Sequence, residues 1–501
     1  MTFLNNLYAS FVIFCSNFNA RFGHLINLVL ILLFLALIFL LFWRTLRASL
    51  RVRHIRSELV LPAIEPERQQ RYIQHLSEAI RIPTVTGDSR GLARLQELLQ
   101  RQFPLVFSKF EVTRPQGGSL ILRWKGADPQ GRKPVLFCGH MDVVPTDGQE
   151  WKRDPFCGEV EEGVLHGRGA LDCKNVVIGL MESAEELLEQ GFTPGRDVYF
   201  AFGIDEETGG KQGAHAIAEY FSKKGISFEM ILDEGSNITT SHLGNPKFPA
   251  ALVGVAEKGS AVFRLTARTK AGHAAMPPQH TALGILCEAV CRVEGAPMHK
   301  RMLPVMRQCM TYSMPAMDFG SRAAVANLPY TSPLLFHFTR HNAQISSLFH
   351  TTFAATQASG SDAANVLPEE ADATLNVRVL QGDTLESVQS YLEALLTDLP
   401  VTVELISGSE PSAVSETKGP CYDRLEATLK ETFGSLAVIP AIMPAGTDTK
   451  HYTKLSDSIY RFMPFYTDPS TFAGIHAADE SIRCDSFASG IRFYMGLIKK
   501  L

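Results

Sequence analysis

At about 100–200 residues per domain, 501 residues allow two to four domains and a core that needs neither disulfides nor a metal to hold it. Apolar residues make up 45% and charged residues 20%, which excludes a disordered or fibrous chain. With 48 Lys and Arg against 52 Asp and Glu the net charge is −4, so no nucleic-acid partner is expected and function must reside in a local site.

After residues 1–24, the run LINLVLILLFLALIFLLFW (Leu25 to Trp43) carries no charge. Its 19 residues, at about 1.5 Å each, span the hydrocarbon core of a bilayer. A cleaved signal peptide would have an apolar run of about 7–15 residues and a small-residue cleavage site. Here Arg44, Arg47, Arg51, Arg53 and Arg56 follow instead. The expectation is therefore an uncleaved transmembrane anchor over residues 25–43 and a basic connector over residues 44–66. With only Arg21 basic on the N-terminal side, the arginine bias puts the remainder of the chain in the cytoplasm.

Helical periodicity follows at Glu67 to Ile82 and Leu92 to Phe103. Strands are expected at Ser119 to Trp124, Pro134 to Gly139, Asp197 to Gly203 and Phe228 to Asp233, with a helix from Asn175 to Gln190 closed by Gly191. Near-continuous apolar strands alternating with helices predict an α/β fold, a mainly parallel sheet covered on both faces. The pattern changes after residue 255: strands near Lys258, Ala373 and Val401 alternate apolar and polar residues, and Ala355 to Ala364 is small and polar enough to be a loop. Residues 67–255 and 408–501 thus form one domain, interrupted by an α+β domain over residues 256–407. The first resumes with a helix at Cys421 and ends in FASGIRFYMGLIKKL. The nine cysteines are scattered without a CxxC pair and read as mostly buried free thiols.

Ligand-type residues recur just beyond apolar strands: His140 and Asp142, then Glu206 and Glu207, then Asp233, while Asp172 precedes a helix start. In open α/β sheets such positions converge at one rim. Imidazole with carboxylate suits zinc, cobalt or manganese rather than a thiolate site. Each fragment alone is weak, since a lone HxD is usually structural and an acidic pair usually solvated; the repeated placement carries the argument.

The segments GHMDVVP, GRGALDCKN, DEETGG, LDEG, GHAAMPP, GTDTKHY and GIHAADE, in this order, resemble the motifs of the zinc aminoacylase/carboxypeptidase metallopeptidase family. This family includes acetylornithine deacetylase, succinyl-diaminopimelate desuccinylase, aminoacylases and glutamate carboxypeptidases. The nearest branch is that of carboxypeptidase S and the N-fatty-acyl-amino-acid synthase/hydrolases. The resemblance covers about residues 67 to 501 and implies a di-zinc exopeptidase fold with an inserted lid that often dimerises. It implies two zinc ions per subunit bridged by Asp172, one also held by His140 and Asp233, the other by Glu207 and His476; cobalt or manganese could replace zinc. Glu206 would be the general base and Asp142 would orient His140. His273, acting on a neighbouring subunit's site, Asn365 and Arg378 would contact substrate, and Gly446, Thr447 and Asp448 would line the cleft. Two positions depart from the pattern. Cys173 replaces a common second Asp and is expected to be a neighbour rather than a ligand. Lys450 replaces a common Arg, which keeps the charge but loses the bidentate fork for a substrate carboxylate.

The resemblance implies a membrane-anchored hydrolase cleaving an amide bond beside a free carboxylate, in a short peptide or an N-acyl amino acid. A catalytically silent receptor on this fold would have lost ligands or base, and all are present here. A soluble dipeptidase is opposed by the apolar run. The branch's usual lumenal location pulls against the arginine bias.

Overall fold

The computed structural model describes the backbone of residues 2–115, 117–128 and 131–501, and the side chains of these except 2–24 and 344. Expectations about Cys15 and Arg21 side chains therefore lie outside the described residues. The chain divides into two compact units, residues 1–55 with 317–335, and residues 56–316 with 336–501.

The first unit is built on one helix, Thr2–Val52. Its part from Leu25 to Val52 is long and apolar enough to cross a membrane, and the side chains from Leu25 to Leu40 are exposed, which excludes a buried core helix. The helix runs past Trp43 to Val52 instead of giving way to a connector. The segment RTLRASLRV contains neither Gly nor Pro and consists largely of good helix formers, so nothing in it stops the helix. Beside it lie the helix Phe319–Ala326 and the start of the helix Leu328–Phe338. Asn327 Nδ2 donates to Leu41 O (3.2 Å) and to Thr45 Oγ1 (3.0 Å), and Arg44 Nε donates to Ala326 O (3.2 Å).

In the second unit the strands of the main sheet before the insertion are β1 (Glu111–Thr113), β2 (Leu120–Trp124), β3 (Val135–His140), β4 (Val198–Gly203), β5 (Met230–Thr239) and β6 (Ala250–Glu257). The insertion contributes β7 (Gly259–Arg268), β8 (Thr352–Ser359), β9 (Glu370–Val379) and β10 (Val401–Ser409). Then come β11 (Ala437–Met443) and β12 (Ile459–Thr467). Among the described residues an eight-stranded sheet has the order β1-β2-β4-β3-β5-β12-β6-β11. Its centre, β4-β3-β5-β12, is parallel, whereas β1 and β2 join antiparallel and β6 meets β12 antiparallel. The mainly parallel expectation holds for the centre and for the edge pair β6–β11, while β1 and β2 depart from it because a short connection joins them, which only antiparallel neighbours allow.

Every residue of β3 and β4 is buried, as a sheet covered on both faces requires. One face packs Leu136, Tyr199 and Ile231 against Ile217 and Phe221 of the helix Ala214–Lys223. The other is covered by the helices Lys174–Glu189 and Cys484–Lys499. Gly490 permits that contact: a Cβ there would lie 2.3 Å from Phe465 Cε1.

The insertion forms an antiparallel sheet of order β8-β9-β7-β10. Alternate residues of β9 are buried (Ala371, Ala373, Leu375, Val377), and they pack with Phe263 and Leu265 under the helices Ala282–Gly295 and Leu385–Leu395. The stretch expected as a loop at Ala355 to Ala364 is strand as far as Ser359. Among the described residues it is an edge strand pairing with β9 alone and largely exposed, so its small polar residues carry no apolar signal. The described cysteines are free thiols, but Cys287 and Cys291 are exposed on the helix Ala282–Gly295, contrary to a mostly buried set.

Candidate active site

His140 is the last residue of β3, and Asp142 follows it with both side chains buried. The His140 ring faces Asp142 with Nδ1, 3.0 Å from its carbonyl and 3.3 Å from Oδ1, and its Nε2 points the other way. Asp142 does more than face the ring. Its carboxylate accepts from Thr86 Oγ1 (2.8 Å) and from the backbone N–H groups of Glu206 (3.3 Å) and Glu207 (3.4 Å), tying the β3 end to the turn after β4. Burial works against this charge, yet the hydrogen bond and charge of His140 hold the Asp142 carboxyl below its ordinary value.

Asp172 precedes the helix Lys174–Glu189, with a cis peptide between Asp172 and Cys173. Its two oxygens diverge: Oδ1 lies 2.9 Å from His140 Nε2, and Oδ2 lies 3.1 Å from His476 Nε2. His476 Nε2 is also 3.1 Å from Glu207 Oε2. One carboxylate therefore joins two groups, and both His140, Asp172 and Cys173 and Asp172, Glu207 and His476 have the closeness that a metal ion requires. Asp233 is buried, with neither oxygen hydrogen-bonded among the described residues, and Glu207 Oε1 is likewise unpartnered. Buried carboxylate oxygens normally find partners, so orphans of this kind fit divalent cations. Burial pushes the Asp233 carboxyl up to about 6, opposed by the charge of His140.

Asp233 does not lie beyond a strand end, as expected from the sequence. β5 continues to Thr239, and Asp233 sits at a bulge where it pairs with Arg461 while Ser236 is the next residue in register, opposite Phe462. Gly235, at φ +131°, makes the bulge possible; a Cβ there would meet Met443 Sδ at 2.7 Å.

Glu206 opens the short turn Glu206–Thr208, its carboxylate without a hydrogen bond among the described residues. Burial, with the charges of Asp172 and Glu207, pushes it up to about 7, against the opposing charges of His140 and Lys450. Its neighbour Asp205 instead fixes the loop, accepting from Gln212 N (2.8 Å) and Gly213 N (2.7 Å). Cys173 Sγ accepts from His140 N (3.1 Å), and burial pushes its thiol up.

His476 has a left-handed backbone (φ 61°), unusual for a residue with a Cβ. The loop is held from outside: Gln149 Nε2 donates to His476 O (2.8 Å) and Lys152 N to Asp479 Oδ1 (3.0 Å). Glu480 was not anticipated from the sequence. Fully buried, it accepts from Leu171 N (2.7 Å), Asp172 N (3.1 Å) and Arg168 Nη1 (2.7 Å). Arg168 also donates to Gln149 Oε1 (2.8 Å) and lies 5.1 Å from the Trp151 ring centre. The backbones bearing Asp172 and His476 thus share one support. A second buried hub, Glu257, accepts from Thr447 and Thr449 and pairs with Arg461 at 3.4 Å beneath the loop carrying Asp448.

In the insertion, Gly272–His273 pairs with Val366–Leu367, and Ala274 N donates to Asn365 O (3.0 Å), so His273 and Asn365 share one exposed tip. Arg378 on β9 is half-buried, and no carboxylate partners it among the described residues. None of these three hydrogen-bonds to the ligand cluster among the described residues.

Residues 136–500 match Peptidase family M20/M25/M40. The chain belongs to this family. It is accordingly a hydrolase, in a family whose members depend on metal, typically zinc. It is 36% identical over 421 residues to the probable carboxypeptidase S-like 2 of Dictyostelium discoideum, covering 81% of this chain and 79% of that one. It is 33% identical over 458 residues to the N-fatty-acyl-amino acid synthase/hydrolase PM20D1.1 of Danio rerio, covering 88% and 87%. Its fold is similar to that of the M20 family metallo-carboxypeptidase Sso-CP2 of Sulfolobus solfataricus, with a TM-score of 0.64 at 16% identity over 85% of this chain and 98% of that one.

Proposed function

We propose that the chain is a membrane-anchored di-zinc hydrolase that cleaves an amide bond next to a free carboxylate, acting on short peptides as a carboxypeptidase or on N-acyl amino acids. The observation that carries this is the Asp172 carboxylate, one oxygen turned to His140 and the other to His476 and Glu207. His140, Asp172 and Asp233 would hold one ion and Asp172, Glu207 and His476 the other; cobalt or manganese would suit the same donors. Ions held there would supply Lewis-acid polarisation of the scissile carbonyl and would acidify water.

The chain's own residues supply the rest. Glu206, whose carboxyl burial and the neighbouring carboxylates push upward, would accept a proton and return it to the leaving amine. Asp142 keeps His140 Nδ1 occupied so that Nε2 faces the ligand cluster. Arg378, a cation without a carboxylate partner among the described residues, would bind the substrate carboxylate with Asn365. His273 would stabilise the oxyanion, serving a neighbouring subunit of a homodimer. Co-expressed His273→Ala and Glu206→Gln chains test that arrangement, because only mixed dimers would regain activity.

Purified full-length protein in detergent, assayed on dipeptides and N-acyl amino acids with and without chelator, tests the reading as a whole. Hydrolysis abolished by chelation and restored by zinc, with two ions per active chain, is expected. Undiminished turnover in metal-free protein would overturn it, and the preferred substrates choose between the peptide and acyl classes. The anchor is proposed from Leu25 to Trp43, and the arginines after it favour the cytoplasmic side for the catalytic unit. Protease outside sealed right-side-out vesicles should leave that unit intact; its cleavage reverses the orientation.

A further inference from the structure

Residues 317–335 have no part in the site described above, yet they form a unit with the N-terminal helix. The chain carries no Asp, Glu, Lys or Arg between Arg322 and Arg340, a neutral stretch in a protein that is otherwise 20% charged. Its inner residues, Val325, Asn327 and Leu328, are buried. Asn327 binds Leu41 O and Thr45 Oγ1, Arg44 binds Ala326 O, and the Arg44 guanidinium lies 5.7 Å from the Tyr330 ring centre. Every one of these attachments falls on Leu41 to Thr45, the end of the apolar run. There Trp43 and the arginines after it mark a membrane–water boundary.

Beyond the polar N-cap formed by Asp318 and Ser321, three large outward side chains are apolar. Phe319, Tyr330 and Leu334 are 61%, 53% and 55% exposed, and Tyr330 and Leu334, four residues apart on one helix, share a face. A bilayer that receives Leu25 to Trp43 brings its headgroup–acyl boundary to the level at which this segment is fastened. The lipid surface is therefore the occupant that continuity with the span selects.

We propose that residues 317–335 lie in the headgroup–acyl boundary beside the span, with Phe319, Tyr330 and Leu334 in lipid, so that the protein contacts the bilayer through two separate segments. The geometry is that of an interfacial helix tied to a transmembrane one. The inference rests on the anchored reading given above.

The test uses the full chain reconstituted in phosphatidylcholine vesicles doped with a diazirine-bearing phosphatidylcholine, with lipid adducts mapped by mass spectrometry after illumination. Adducts are expected in peptides from Leu25 to Trp43 and from residues 317–335, each several-fold above those in the helix Pro420–Phe433. Adducts on the span alone overturn the inference and leave the anchor standing. Adducts on neither remove both. Cross-links from residues 317–335 to a second copy without lipid adducts overturn it in favour of self-association. In the triple variant Phe319→Ser, Tyr330→Ser, Leu334→Ser, adducts on residues 317–335 should fall several-fold while those on the span persist; unchanged adducts on both overturn the assignment.

Discussion

Asp172 presents its two oxygens to imidazoles that come from opposite ends of the chain, and that divergence depends on how its backbone is held. Glu480 holds it, through Leu171 N and Asp172 N on one oxygen and Arg168 on the other. Glu480→Gln puts an amide N–H₂ either against the guanidinium or against two backbone donors, since only one oxygen remains. Metal affinity should fall about 10–100-fold, the usual cost of losing a supporting partner behind a ligand. Chelator competition measures it, and unchanged affinity would show that the Asp172 geometry is held otherwise. Glu206→Gln should behave in the opposite way, keeping metal but losing about 10²–10⁴-fold in kcat because it cannot carry the proton. The pair of measurements separates positioning from proton transfer. His140, Asp142, Asp172, Glu206, Glu207 and His476 were legible as candidates because they recur beside apolar strands or helix starts and fall in an ordered series of family motifs, none of which was decisive alone. Arg168 and Glu480 stand in two of the same motifs, GRGALDCKN and GIHAADE, yet their role was not legible. It exists only once distant segments meet, and an Arg or Glu there looks like any solvated charge.

Strand and helix positions were legible where burial is two-sided or periodic, as in β3, β4 and the helix Lys174–Glu189. They were not legible where a local device changes the rule. The Gly235 bulge lets β5 continue beyond Asp233, and the small polar edge strand β8 has no apolar alternation to announce it. The segment after β5 supplies a test at this scale. His242 Nε2 lies 2.8 Å from Ser313 Oγ, whose own proton goes to Cys309 O, so the ring is the donor and Nδ1 is bare. Burial lowers its pKa to about 4, from 6.5. Above pH 6.5 folded and unfolded chains both hold the ring neutral. Between pH 6.5 and 4 only the unfolded chain takes up the proton, so the stabilisation is lost as pH falls through that window. At about 1.4 kcal/mol per tenfold change in proton affinity, the ring accounts for on the order of 3 kcal/mol. Denaturant unfolding of the parent and of His242→Gln across this range should show a steeper loss in the parent; equal slopes would refute the assignment.

At the scale of the whole molecule, the sequence placed every catalytic motif beyond residue 56, which suggests that removing residues 1–56 frees a soluble enzyme. The structure changes that expectation. Residues 56–316 and 336–501 form a compact unit that holds all the proposed ligands, so catalytic competence should survive truncation. Ser57 also keeps its place in that unit, accepting from Ala437 N at 2.8 Å, so a chain starting at Ser57 retains its first ordered contact. Residues 317–335, however, lose the helix on which they are packed. Val325 and Leu328, buried at 6% and 2% exposure, become accessible, Asn327 loses its acceptors at Leu41 and Thr45, and Phe319, Tyr330 and Leu334 remain outside. Newly uncovered apolar side chains of this kind drive association. The truncated chain is therefore expected to hydrolyse substrate at near-parental kcat in detergent and to sediment as aggregate when detergent is removed. Analytical ultracentrifugation with and without detergent, alongside turnover, checks both halves. Monodisperse behaviour in buffer alone would show that residues 317–335 do not depend on the N-terminal helix for cover. Lost turnover in detergent would show that the catalytic unit needs that helix to fold.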